Sequence, residues 1–145
     1  MTVQRMDHVG INVDDLEAAV AFFVELGLEL QGKAEVEGEW VDRIIGLDGA
    51  RSQIAMLRTP DGHSRVELVQ FHTPPSPGGD PQAPANVLGL RHLTFAVDDV
   101  DDVVARLQTH GAALVGEVVQ YEDAYRLAYI RGPEGIIVGL GQQLG

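Results

Sequence analysis

One internal repeat limits this chain more than any other feature, because a unit written twice folds twice in the same way. Sliding the sequence against itself by 84 residues lays MDHVGINVDDLEAAVA (6–21) on LRHLTFAVDDVDDVVA (90–105). His8 falls on His92, Val13 on Val97, Asp14-Asp15 on Asp98-Asp99, Ala21 on Ala105 and Gly27 on Gly111. Pro60-Asp61-Gly62 and Pro133-Glu134-Gly135 also correspond, at a slightly different offset, so the first copy carries extra residues.

Each copy predicts a βαβββ unit. In residues 6–13, Val9, Ile11 and Val13 alternate with His8, Gly10 and Asn12, the pattern of a strand covered on one face. In the second copy Leu93, Phe95 and Val97 oppose His92, Thr94 and Ala96. Asp14 followed by Glu17 offers a capping-box-like helix start, Leu16, Ala19, Val20 and Phe23 recur at helical spacing, and Gly27 suits the turn that ends the helix. The second helix spans about Asp99 to His110. Three strands follow in each copy, near 28–36, 53–58 and 65–71, then near 113–121, 125–131 and 136–142. A helical turn around Trp40–Leu47 belongs to the first copy alone. The two proline-led tripeptides read as hairpin turns.

Residues 72–88 hold five of the seven prolines together with Gly78-Gly79, and read as an extended connector. The expected organisation is one α+β domain over residues 1–145, with repeat 1 at about 4–71 and repeat 2 at about 89–143. Two paired half-barrel sheets would enclose a shared cavity and carry their helices outside, since a lone unit leaves one sheet face bare.

Composition narrows the function. A net charge of −12 with scattered Lys and Arg argues against nucleic acid, which such a chain would repel. No apolar run reaches the length of a membrane span, and the strand pattern at the N-terminus reads as leaving no room for a signal peptide. The absence of cysteine excludes disulfides, thiolate zinc sites and a catalytic thiol. The expectation is a cytoplasmic protein.

Once the helices cover one face of each sheet, His8 and His92 fall on the other. In Arg65–Phe71, parity sets Val66 and Leu68 under the helix and Glu67 with the histidines. A carboxylate and two imidazoles pointing into a closed interior are costly unless paired or bound to a metal, and they suit a divalent first-row ion. His63, His72 and His110 sit in turn, connector and helix-end contexts and read as solvent-exposed. Tyr121, Tyr125 and Tyr129 read as wall or core residues, and Trp40 as a lid or a packing residue.

The strand HVGINVDDLEAA, its copy at His92, and the Pro-Asp/Glu-Gly turn late in each half resemble the vicinal oxygen chelate superfamily over nearly the whole chain. That family includes glyoxalase I, methylmalonyl-CoA epimerase, extradiol dioxygenases, fosfomycin resistance proteins and bleomycin-binding proteins. The resemblance implies metal ligands from the first and last strands of each half, carried over as His8, Glu67 and His92. The fourth position departs from the pattern, because three residues after the turn stands Gly139, which has no donor. Glu122, Asp123 or Gln142 are candidate substitutes.

The resemblance implies one divalent ion (Ni, Co, Zn, Mn or Fe) and a metal-dependent glyoxalase-type lyase or isomerase, with Glu67 as the proton carrier. The alternatives are a drug-sequestering binding protein without a working metal site, and a dioxygenase-like oxidative enzyme. For the binder, Trp40, Phe71, Tyr125, Tyr129 and Gly139 would line a pocket for a flat ligand. The partner expected is a small molecule, and the assembly a homodimer.

Overall fold

The computed structural model describes residues 2–145. The chain forms two compact units, one ending at Gly78 and the other spanning Gly79–Gly145. The connector therefore splits, with most of it belonging to the second unit.

In the first unit β1 (Val9–Asn12), α1 (Leu16–Leu26), β2 (Glu29–Glu37), α2 (Glu39–Ile45), β3 (Arg51–Arg58) and β4 (Arg65–Thr73) follow in order. The sheet runs β1-β4-β3-β2, with β1 parallel to β4 and the other pairs antiparallel. The second unit repeats this with β5 (His92–Ala96), α3 (Val100–Gln108), β6 (Ala113–Leu114), β7 (Val119–Tyr121), β8 (Tyr125–Arg131) and β9 (Ile137–Gln143). Its order is β5-β9-β8-β6, with β7 also on β8. The expected strand over 113–121 is broken into β6 and β7 around Gly116, where the missing side chain weakens the run.

The helices form where the repeat puts them. Asp15, one residue past the expected start, caps α1 by accepting from Ala18 N at 3.0 Å, and Asp99 caps α3 by accepting from Asp102 N at 3.1 Å. Gly27, at φ 126°, ends α1 by donating to the carbonyls of Phe23 and Val24. Leu16, Ala19, Val20, Phe23 and Leu26 are buried on α1, as are Ala55, Leu57, Val66 and Leu68 on the strands of the same unit. In the second unit Val100, Val103, Val104 and Leu107 on α3 match Ala128, Ile130, Val138 and Leu140. Each fully buried side chain of this size is worth about 1.5–3 kcal/mol, so these two clusters hold the units together.

The proline-rich stretch is pinned despite its composition. Arg131 Nη2 donates to Ala83 O at 2.7 Å, and Arg91 Nη2 donates to Ala83 O and Pro84 O at 3.2 and 3.1 Å. The turn at Pro133–Gly135 lies so close to Pro81 that a Cβ at Gly135 would meet its carbonyl.

Candidate functional site

The strand register fixes what each helix-free face carries. In the first unit Gly10 on β1 and Met56 on β3 flank Glu67 on β4, so one row reads Gly10–Glu67–Met56. In the second unit Thr94 on β5 and Tyr129 on β8 flank Gly139 on β9, and the row reads Thr94–Gly139–Tyr129. These rows are equivalent in the repeat. Gly139 thus stands where the first unit has Glu67, as parity in the sequence indicated.

His8 precedes β1 on the face of Gly10 and Glu67. Its Nδ1 lies 2.7 Å from Asp7 Oδ2. A carboxylate only accepts, so the shared hydrogen sits on Nδ1 and Nε2 is the ring nitrogen left to offer a lone pair. Asp7 also accepts from Arg65 Nη2 at 2.7 Å. The His8 hydrogen bond and the Arg65 guanidinium hold the Asp7 carboxyl below the ordinary carboxylate range. Glu67 is half-buried, and no hydrogen bond or ion pair reaches its carboxylate from the described residues. Arg65, the neighbour available to pair with it, is spent on Asp7.

The second unit is arranged differently. The Tyr129 ring lies over Gly139, where an added Cβ would run into Thr94 Oγ1 and stand 3.0 Å from Tyr129 Cε1. Tyr129 Oη lies 3.1 Å from His92 Nε2, with ring centroids 4.9 Å apart. The volume beside Gly139 is therefore filled by the chain itself.

The remaining candidates separate clearly. Gln142 is committed elsewhere, because its Oε1 accepts from Val100 N at 2.9 Å and satisfies the start of α3. Gln70 does the same for Leu16 N at 3.2 Å. Glu122 and Asp123 sit in the β7–β8 turn, at the far end of β8 from the row of His92, Ile137 and Arg131. Six residues of strand separate Ile137 from Gln143 opposite Tyr125, a span of about 20 Å. None of the three takes the place of a ligand beside His92. Phe71 shares the Glu67 face and is half-buried, while Trp40 on α2 is 62% exposed. Tyr121, Tyr125 and Tyr129 are exposed rather than core residues, since β7 and β8 present them on the face without a helix. His63, His72 and His110 are exposed. Sequence reasoning missed Asp7 and Gln70 and offered Gln142 as a ligand rather than as a brace for α3, although Gln70 and Gln142 occupy equivalent positions that a closer comparison of the copies would have paired.

Two imidazoles and one carboxylate are the donor chemistry of a divalent first-row ion. The first unit fits it, offering a carboxylate-oriented imidazole and an unpartnered Glu67. In the second unit only His92 donates, and its Nε2 is held by a neutral phenol. That contact is worth about 1 kcal/mol net and does not bar a metal bond. Among the described residues no group of three or more His, Asp or Glu side chains gathers as a metal cluster.

Residues 5–140 match the family model of the Glyoxalase/Bleomycin resistance protein/Dioxygenase superfamily. A glyoxalase family protein from Bacillus cereus shares 54% identity and a TM-score of 0.96, covering 100% of this chain and 97% of that one. The uncharacterized protein YaeR of Escherichia coli is 28% identical over 97% of this chain and 98% of its own length. A 2-epi-5-epi-valiolone epimerase of Actinomyces is 34% identical over 76% of this chain and 61% of that protein. TnmS3, an antibiotic binding protein from Streptomyces, is 26% identical with a TM-score of 0.63, covering 99% and 98% of the two chains. The fosfomycin resistance protein FosX of Listeria monocytogenes, whose structure holds Mn(II), shares the fold at 13% identity and a TM-score of 0.65, over 96% and 90%. Members of the family thus bind small molecules, and some use divalent metals. No helix among the described residues is long and apolar enough to cross a membrane. Repeat, sheet order and family match agree, and this chain belongs to the Glyoxalase/Bleomycin resistance protein/Dioxygenase superfamily.

Proposed function

We propose that this chain is a glyoxalase-type lyase or isomerase that takes a small substrate with adjacent oxygens and moves a proton on it. It would act as a cytoplasmic homodimer. The observation that carries the reading is Glu67: a half-buried carboxylate that pairs with none of the described residues, on the face where Asp7 orients His8. A carboxylate left free of protein partners on such a face is available to a metal ion or to a ligand. His8, Glu67 and His92 would hold one divalent ion. When bound, the ion supplies Lewis acidity toward the adjacent oxygens. Glu67 takes the proton from the carbon beside the carbonyl and returns it to the neighbouring carbon, so no oxidant or reductant is consumed. Asp7 fixes the His8 tautomer. The absence of a second carboxylate, at Gly139, favours one base that shuttles a proton over two bases that invert a centre.

Elemental analysis after reloading with Ni, Co, Zn, Mn and Fe tests this. The expected content is close to one ion per chain, lost in His8→Ala, Glu67→Gln and His92→Ala. If the unaltered protein retains none, the enzyme reading fails. The second reading, a binding protein, is favoured by the Tyr129 ring over Gly139 and by exposed Val119, Tyr121, Tyr125 and Leu127 on the same face. A metal-free chain that takes up polycyclic aromatic compounds, followed by Trp40 fluorescence, would establish it.

A further inference from the structure

The two units spend the same row of their sheets on different chemistry. In the first, Glu67 stands between Gly10 and Met56, and a Cβ at Gly10 would meet nothing within 4 Å. The carboxylate has open space beside it. In the second, the central position is Gly139, and the outer position opposite it is Tyr129 rather than a methionine. With no side chain in the middle, the phenol lies across β9 and reaches the imidazole of His92 on β5. Any larger residue at position 139 would collide with Tyr129 and Thr94, so glycine is what admits this contact.

Packing alone does not account for the pair. An aromatic ring covering a strand glycine is a familiar way to fill a sheet, and phenylalanine would serve for that. Here the ring carries a hydroxyl, the hydroxyl meets a ring nitrogen, and both residues remain exposed on the helix-free face. With the His92 hydrogen on Nε2, that N–H donates to Tyr129 Oη, leaves the phenolic hydrogen free to donate outward, and leaves Nδ1 as the ring nitrogen with a lone pair for a metal ion. A hydroxyl held in this way is a preorganised donor for an oxygen of a ligand.

We infer that Tyr129 is the second unit's counterpart of Glu67: its hydroxyl, held by His92 and admitted by Gly139, donates a hydrogen bond to an oxygen of the bound small molecule. The inference deepens the proposed function and rests on its view of these faces as the substrate surface. The ligand class is an oxygen-rich organic molecule whose carbonyl or hydroxyl oxygen meets the phenol of the second unit.

The test uses full-length protein labelled with nitrogen-15 in histidine and titrated with benzohydroxamate, a small aromatic compound with adjacent oxygens. Three results are expected together. Tyr129→Phe alone shifts the His92 ring resonances. Benzohydroxamate perturbs those resonances in the unaltered protein. Its affinity then falls about five- to tenfold in Tyr129→Phe, at unchanged metal content and thermal midpoint. Gly139→Ala provides an independent arm, because displacing the ring should weaken the probe to a similar degree while leaving the hydroxyl in the sequence. Equal affinity in Tyr129→Phe and the unaltered protein overturns the inference, as does a His92 signal that ignores the probe. Metal retained by the unaltered protein alongside either of those outcomes would leave the enzyme reading standing while this one falls.

Discussion

Asp7 holds the first unit's histidine and Arg65 at once, and its carboxyl sits below the ordinary range because it accepts from His8 and faces the Arg65 guanidinium. A carboxyl with a depressed folded value contributes stability above its unfolded value, and that contribution is lost as pH falls through the folded one. Urea denaturation should therefore find Asp7→Asn less stable than the unaltered protein at pH 5 to 6, with the gap closing below about pH 4. A gap that persists undiminished at pH 2.5 would show that Asp7 acts through packing instead. Asp101 is held low in the same direction by its paired bonds from Arg126, so it titrates over the same window and does not create the difference. At this scale Glu67 and Gly139 are opposites in equivalent places: one a charge without a partner among the described residues, the other a vacancy filled by a neighbour's ring.

The two helices are tied to their sheets by a device that alternation does not reveal. Gln70 and Gln142 reach from the last strand of each copy to accept the first backbone N–H of α1 and α3. Such an N–H has no partner within its own helix. Replacing Gln142 with Ala leaves it half-buried and unsatisfied, a cost of about 1–2 kcal/mol. The thermal midpoint should drop by several degrees while the far-ultraviolet circular dichroism keeps its shape; no measurable drop would mean that water replaces the amide without loss. Strands and helices were legible in the sequence because their apolar periodicities are strong and doubled, and the parity of Glu67, Gly139, His8 and His92 followed directly. The break between β6 and β7 was not, since a single glycine inside Ala113–Tyr121 leaves the alternation intact on paper. The partners of Asp7, Tyr129 and Gln142 were not legible either. Hydrogen bonds between distant strands depend on register, and register is set by pairing rather than by composition.

On the scale of the whole molecule, each unit leaves a sheet face that its own helix does not cover. In the second unit Val119, Leu127, Tyr121, Tyr125 and Tyr129 lie on that face, from 37% to 58% exposed. Apolar surface of this kind, joined to open strand edges, is commonly buried by association. Light scattering at micromolar concentration should give the mass of a homodimer, near twice the 15.6 kDa of the chain; a strictly monomeric species would refute it. Within the chain the capping aspartates, the bracing glutamines and the helix-facing apolar residues are the same twice over, whereas the opposite faces have parted. One copy carries the acid Glu67 where the other carries Gly139 beneath the ring of Tyr129. The repeat therefore fixes the scaffold of each unit while leaving its helix-free face free to differ.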